Sequence, residues 1–280
     1  MSAWFDEDEA PRLRLEVAEI IHEHRSPYQS ILVFRDPLFG RVLALDGAVQ
    51  TTEADEFVYH EMMAHVPILA HGDARRVLIV GGGDGGLAEE VLKHPGVEQV
   101  TLAELDEAVI EVARRHLPGI CGTAFDDPRL KLELGDASAF VARTGETFDV
   151  ILIDAPDPVG PGEALFGADF YRDCRDRLSE TGVLVAQCGL PLTGPGTLRR
   201  ACAALATLFA DVSCYLAAVP SYAGGAMAFG WAAGDDAARM TDAAVLERRF
   251  RDSGIATRYY TPEIHRAAFA LPPVVAALLP

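Results

Sequence analysis

Residues 77–106, reading VLIVGGGDGGLAEEVLKHPGVEQVTLAELD, constrain the fold more than any other stretch of this 280-residue chain. An apolar run (Val77, Leu78, Ile79, Val80) feeds directly into Gly81-Gly82-Gly83-Asp84-Gly85-Gly86, and a helical pattern begins at Leu87. A second apolar run then ends in Glu104. Strand, glycine-rich turn, helix, strand and acid is the layout of a mononucleotide-binding βαβ unit. Glycines such as Gly81 and Gly83 let backbone approach a ligand closely and adopt positive φ without a Cβ clash. Glu104 follows Gly83 by 21 residues, a spacing from which a carboxylate reaches both hydroxyls of a ribose. The expected ligand is of adenosine type.

The turn also carries an anion. A pyrophosphate binder needs only backbone N–H groups and the helix dipole there, and Asp84 would repel phosphate. At 4 Å and an effective dielectric of about 20, that repulsion is about 4 kcal/mol, roughly a thousandfold in affinity. Dinucleotides and ATP are therefore disfavoured relative to an adenosine with a cationic tail. S-adenosylmethionine has such a tail, but its carboxylate would face Asp84; the decarboxylated form keeps the ammonium and loses that carboxylate. The alternative is that Asp84 only caps the following helix.

The balance of 42 acidic against 24 basic residues, a formal charge of −18, argues against nucleic acid, whose phosphates need Lys and Arg. An acidic surface instead concentrates cationic small molecules. The five cysteines (121, 174, 188, 202, 214) form no CxxC pair and suit a reduced, cytoplasmic protein. The acidic opening MSAWFDEDEA is no signal peptide, and no apolar run reaches membrane-spanning length.

Along the chain, residues 13–17, 31–34, 41–45 and 48–51 read as strands punctuated by Asp36-Pro37, Phe39-Gly40 and Asp46-Gly47, the last a strong hairpin signal. Such a small antiparallel sheet should pack on a larger unit or on a second subunit. Residues 54–68 read as a helix ending at Pro67. His60-Glu61 and His65 resemble a zinc-protease helix, but the histidines are five apart, about 140° around the helix, so no metal site is expected. Beyond Arg76, strands at 77–80, 99–103, 130–134, 149–153, 183–187, 212–219 and 227–233 alternate with helices near 85–94, 106–117, 136–143, 168–178, 195–209 and 242–252. The first five strands follow βαβ order, predicting a parallel doubly wound sheet, and the last two an antiparallel edge hairpin. The expected division is 1–66, a β unit with its linking helix, and 67–280, a Rossmann-like unit.

Ligands of open α/β sheets sit beyond the carboxyl ends of the strands. Standing there are Asp84, Glu104, Asp136 and Asp154. Any one could be a helix N-cap; four in succession point to a site. After Asp154 comes Ala155-Pro156-Asp157-Pro158-Val159-Gly160-Pro161, a loop whose prolines stiffen the placement of two carboxylates three residues apart. That arrangement suits work on an amine.

At this point the chain resembles the spermidine synthase (polyamine aminopropyltransferase) family. The matching segments are YQSILVF (28–34), FGRVLALDGAVQTTEADEFVYHEMMAHVP (39–67), VLIVGGGDGG (77–86), the DP..GP loop (157–161) and AFALP (268–272). The resemblance implies a methyltransferase-like Rossmann domain preceded by a small antiparallel β domain. It implies aminopropyl transfer from decarboxylated S-adenosylmethionine to putrescine, giving spermidine and methylthioadenosine, in a homodimer or homotetramer; because the donor sulfonium is already an activated leaving group, no metal or redox cofactor is expected. By the same resemblance, Gln29, Glu104, Asp136, Ala137 and Pro161 hold the methylthioadenosine moiety. His60, Asp84, Asp154 and Asp157 surround the polyamine or aminopropyl chain, with Gln50, Tyr59 and Tyr222 nearby, and Trp4 lines the amine pocket. Asp154 matches the catalytic acid/base. Where the family places Ser, Thr or Cys between the loop aspartates, this chain has Ala155-Pro156, which bears on the choice of amine.

The chemistry asks for a base. Freeing the lone pair of a primary amine with a lysine-like pKa near 10.4 costs roughly 4–5 kcal/mol at pH 7, and carboxylates that bind the diammonium raise that cost. Asp154, braced by Tyr59, is the candidate general base, and Asp157 and Asp84 would orient the chains. Cadaverine, a longer diamine or spermidine remain open as acceptors. The rival functions are a methyltransferase using the intact donor, a non-catalytic polyamine-binding protein and, more distantly, a dehydrogenase.

Overall fold

The structure is a computed structural model describing residues 3–6, 13–155, 165 and 167–280. Its first strands are β1 (Ala3–Asp6), β2 (Arg14–Val17), β3 (Glu19–Arg25), β4 (Ser30–Asp36), β5 (Gly40–Leu45) and β6 (Ala48–Thr52). β1 pairs antiparallel with β2, and β3 to β6 form a four-stranded antiparallel meander. The hairpin joining β5 to β6 turns on Asp46 (φ 46°) and Gly47 (φ 84°), the two left-handed positions of a type I′ turn. This sheet does not stand alone. Ile31, Val33 and Leu43 pack against Val109, Val112, Ala113 and Leu117 of the larger unit, while Phe34, Val42, Ala44 and Val49 close around Leu15 on the opposite face.

The helix α1 (Glu56–His71) follows. It runs straight past Pro67, where the sequence predicts its end, and stops at Gly72, whose φ of 85° forms the left-handed cap. Burial outweighs the lost hydrogen bond: all but two of its 16 residues are buried, and the Tyr215 hydroxyl donates to the carbonyl of Met62, next to the Met63 carbonyl that Pro67 leaves without an N–H. The expected boundary at residue 66 falls inside this helix.

The second unit contains β7 (Arg76–Gly81), α2 (Gly86–Leu92), β8 (Gln99–Glu104), α3 (Glu107–His116), α4 (Pro118–Cys121), β9 (Leu130–Leu134), α5 (Ala137–Arg143), β10 (Phe148–Asp154), α6 (Ala168–Asp176), β11 (Leu178–Gln187), α7 (Pro195–Leu205), β12 (Asp211–Ala218), β13 (Ala226–Ala233), α8 (Ala243–Ser253), α9 (Pro262–Ala268) and α10 (Pro273–Ala276). Strand order is β12-β13-β11-β10-β7-β8-β9. The five strands β7 to β11 pair parallel, and the hairpin of β12 and β13 adds antiparallel at one edge. The expected mostly parallel doubly wound sheet is therefore present. Its central strands β7, β10 and β11 are apolar on both faces where they pair, as parallel strands covered on both sides must be. Val77 and Ile79 face the α1–α2 side with Val150, Leu152, Val183 and Val185; Leu78 and Val80 face the α5–α7 side with Ile151, Ile153, Leu184 and Ala186.

Glu61, one helical position after the site residues of α1, is buried and accepts N–H bonds from Arg258 (2.6 Å), Tyr259 (2.8 Å) and Tyr260 (2.7 Å). It ties the C-terminal segment to the helix that carries the site.

Candidate active site

A cavity of about 770 Å³ opens beyond the carboxyl ends of β7, β8 and β10, roofed by the hairpin of β5 and β6. The strand ends and the first turns after them supply its floor: Gly81, Gly83, Asp84, Glu104, Asp136, Ala137 and Asp154 all line it, with Tyr59 and His60 from α1. Gln29, Gln50 and Tyr222 close it from the side of the β unit and from the loop before β13.

Two of the glycines serve the site's own acids before any ligand. At Gly81, with φ 82°, a Cβ would stand 2.2 Å from the Asp154 carbonyl oxygen. At Gly83 a Cβ would stand 2.7 Å from Glu104 Oε2. A side chain at either position would displace a neighbouring strand end, by its backbone in the first case and by its carboxylate in the second.

One end of the cavity is built from carboxylates anchored on backbone N–H groups. Asp136 caps α5, accepting from Ser138 N (2.8 Å) and Ala139 N (3.2 Å). Glu104 accepts from Asp106 N (2.9 Å). Burial raises its carboxyl to about 7, opposed by the N–H groups of Asp106, Leu105 and Gly83 and reinforced by the charge of Asp106. Asp106, absent from the residues that the sequence singles out for binding, caps α3 and accepts from Ser26 Oγ (2.6 Å) and Gln29 Nε2 (2.9 Å). Gln29 thus fixes the β unit to the start of α3 while lining the cavity.

The other end is built from side chains that hold one another. The Tyr59 hydroxyl donates to Asp154 Oδ1 at 2.6 Å. Asp154 lines the cavity and is otherwise enclosed by protein; burial and the charge of Asp84 raise its carboxyl to about 6, against the pull of His60 and Tyr59. The Tyr59 hydroxyl is pushed well above its ordinary value by burial and by Asp154, so it remains a donor. Asp84 Oδ1 accepts from Gly86 N (2.8 Å), and its Oδ2 lies 3.7 Å from His60 Nε2. The sequence posed capping and site lining as alternatives for Asp84; the N-cap of α2 is Gly85, and Asp84 lines the cavity while accepting from the N–H of Gly86. His60 Nδ1 lies 2.7 Å from Glu56 Oε2, a residue that sequence reasoning missed although the (i, i+4) spacing on α1 was visible. Burial pulls the His60 imidazole down, but Asp84 and Glu56 outweigh it and carry it to about 10. A cation therefore stands behind Asp84, and the bare repulsion of about 4 kcal/mol against anions is an upper bound. Tyr222 donates to the Gln50 carbonyl (2.6 Å) and stands edge-on to Tyr59, with ring centroids 6.2 Å apart.

Trp4 is not brought to this cavity. It sits on β1 opposite Glu16, 55% exposed, with the Arg14 guanidinium 6.0 Å from its ring centroid. Asp157 and Pro161 lie outside the described residues, as does Pro156. His60 and His65 diverge as their spacing requires: His60 faces Asp84, whereas His65 pairs with His94 at 2.9 Å. Among the described residues, no group of three or more His, Cys, Asp or Glu side chains is arranged to hold a metal ion. No helix among them is long and apolar enough to cross a membrane.

The chain as a whole resembles known proteins. The sequence model described as the spermine/spermidine synthase domain matches residues 56–242, and that of the spermidine synthase tetramerisation domain matches residues 3–53. Polyamine aminopropyltransferase 1 of Pseudomonas aeruginosa is 52% identical over 262 residues, covering 94% of this chain and 92% of its own. The polyamine aminopropyltransferase of Ruegeria sp. is 49% identical over 266 residues, covering 95% and 94%. Among solved structures, a spermidine synthase in complex with the transition-state analogue AdoDATO superposes with a TM-score of 0.94 at 37% identity, covering 99% of this chain and 94% of that one. The spermidine synthase of Thermotoga maritima superposes at 0.90 with 36% identity and the same coverage. With both units matched in order and half the residues identical to those of curated relatives, the chain belongs to the spermine/spermidine synthase family.

Proposed function

We propose that this chain is a polyamine aminopropyltransferase: it moves the aminopropyl group of decarboxylated S-adenosylmethionine onto putrescine, releasing spermidine and methylthioadenosine. The observation that carries this reading is the Tyr59–Asp154 pair, 2.6 Å apart at the end of β10, with Asp84 alongside. The amine nitrogen attacks the carbon next to the sulfonium; the new C–N bond forms as the C–S bond breaks and its electron pair returns to sulfur. The donor is already activated and is consumed as a co-substrate. The barrier the protein must lower is loss of the ammonium proton. An aspartate raised to about 6 narrows the mismatch with an amine near 10.4 by roughly two pKa units relative to an ordinary aspartate, about 3 kcal/mol. Tyr59 holds the Oδ1 of Asp154 in place, leaving Oδ2 for the incoming amine.

At the backbone-anchored end, Glu104 receives the ribose hydroxyls and Asp136 with Ala137 the adenine, with Gln29 beside them; Pro161 is assigned to the same moiety by the family resemblance alone. At the other end His60, Asp84 and Asp154 surround the aminopropyl and amine chains, near Gln50 and Tyr222; Asp157 is assigned to the same chains by the family resemblance alone. The match to a tetramerisation domain, with Ile20 (58%) and Leu38 (77%) exposed on the β unit, supports a homodimer or homotetramer. Five buried cysteines kept as thiols, rather than joined in disulfides, suit a reducing cytoplasm.

The test is a panel of putrescine, cadaverine, longer diamines and spermidine with the decarboxylated donor, products identified by mass. Methylthioadenosine with spermidine as the fastest product is expected. Methyl transfer from intact S-adenosylmethionine, or no group transfer at all, would refute the assignment.

A further inference from the structure

Glu56 is an acid beside the responsive end of this site that does not line the cavity. Its carboxylate is buried, one turn before His60 on α1, and it meets the imidazole at Nδ1 (2.7 Å). The His60 ring has little freedom otherwise. Its Cε1 would lie 2.3 Å from a Cβ placed on Gly86, so the first residue of α2 packs flat against it, and Tyr59 stands edge-on with ring centroids 5.4 Å apart. With the ring clamped and Nδ1 turned to Glu56, Nε2 is left 3.7 Å from Asp84 Oδ2.

We infer that Glu56 is a positioning residue for the transfer: by taking the Nδ1 proton of His60 in a hydrogen bond, it keeps a cationic imidazole behind Asp84, and that cation holds Asp154 in its ionised, proton-accepting form. The inference rests on the reading of Asp154 as proton acceptor. The groups facing this array are few. From α1 come Glu56 and Tyr59, from the glycine turn Asp84, and from β10 Asp154, while the Cys121 thiol of α4 lies near Asp84. On its outer side the ion-pair partner of Glu56 among the described residues is the Arg258 guanidinium, at the limit of 4.0 Å, and that side chain is largely exposed. Without Glu56, His60 keeps one carboxylate partner at ion-pair distance and still bears the full cost of burial, so its proton is lost at a lower pH. Neutral His60 then no longer offsets the charge of Asp84 on Asp154.

The test is the pH profile of kcat/KM for wild type, Glu56→Gln and Glu56→Asp, with donor affinity and thermal midpoint measured alongside and His60 ring nitrogens followed by long-range 15N–1H NMR. In Glu56→Gln the acid limb should move up by about one pH unit, with activity recovering toward wild type at alkaline pH and donor affinity changed less than about twofold. Glu56→Asp should fall between. A merely structural Glu56 would lower activity equally at every pH. An unmoved acid limb in the folded variant overturns the inference, and so does a wild-type His60 whose Nδ1 carries no proton at pH 8, a readout needing neither a variant nor turnover. Absence of product from wild type with any amine would instead refute the activity, and the NMR readout would still decide the Glu56–His60 arrangement.

Discussion

The two ends of the cavity are both lined by acids, yet they are held in different ways. Asp136, Glu104 and Asp106 accept from backbone N–H groups at the starts of α5 and α3, so main-chain geometry fixes their orientation. Tyr59, Asp154, His60, Asp84 and Glu56 are held largely by one another. An end built on main chain is a rigid receptor for a ligand whose shape does not change. An end built on coupled side chains responds to protonation, since altering one member changes the charge felt by the others. The first suits recognition of an adenosine, the second handling of an amine that must lose a proton.

The sharpest way to break that contrast is Asp154→Asn. Turnover should fall at least about a hundredfold, the usual scale for loss of a general base, while donor affinity, set at the other end, stays within a few fold; near-normal turnover would remove Asp154 from the chemistry. The same variant tests the cost of the arrangement. A carboxyl raised to about 6 from 3.8 favours the folded state fully only below its unfolded value, and that contribution is lost as pH rises through about 6. The substrate-free variant should therefore be more stable than wild type at pH 8, by about 1–3 kcal/mol, and indistinguishable near pH 3. Denaturant titrations at the two pH values decide it.

Next in size, Gly81→Ala should fail to give stable protein, because positive φ and the Asp154 carbonyl both exclude a Cβ. Gly83→Ala should fold but weaken donor binding about tenfold, or 1.4 kcal/mol, because the Glu104 side chain, and no backbone, must move. Equal behaviour of the two variants would contradict the distinction between backbone and side-chain contact. A smaller effect is expected for Tyr59→Phe. Losing the hydrogen bond that lowers Asp154 should move the acid limb of kcat/KM above its wild-type position near pH 6, with a loss of about tenfold at neutral pH. Smallest, Asp136→Ala should cost about 1 kcal/mol of stability through the lost helix cap and leave the pH profile in place.

The sequence was most informative where burial and backbone requirements coincide. β7, β8 and β10 are apolar on both faces and end in residues that the turn geometry restricts, so both the strands and the acids after them were legible. β3 was missed because its EIIHEHR segment is polar and mostly exposed, offering neither alternation nor a continuous apolar run. α1 outran Pro67 because tertiary packing overrode the local signal. At the site, single residues were readable and couplings were not. His60 stood out, whereas Glu56 looked like any acid in a first helical turn. The glycines were read as space for a ligand, and two of them prove to be space for Asp154 and Glu104. Trp4 was placed in the amine pocket from family likeness alone, and within the single chain its strand lies elsewhere.

Donor recognition turns on negative side chains at the responsive end accepting a positive tail. Calorimetric titration of the protein with S-adenosylmethionine and with its decarboxylated form, under one buffer and salt condition, tests that most directly. Because His60 offsets part of the charge of Asp84, the preference for the decarboxylated form should be at least about tenfold rather than the thousandfold of an unopposed carboxylate. Equal affinity, or tighter binding of the intact donor, would contradict it.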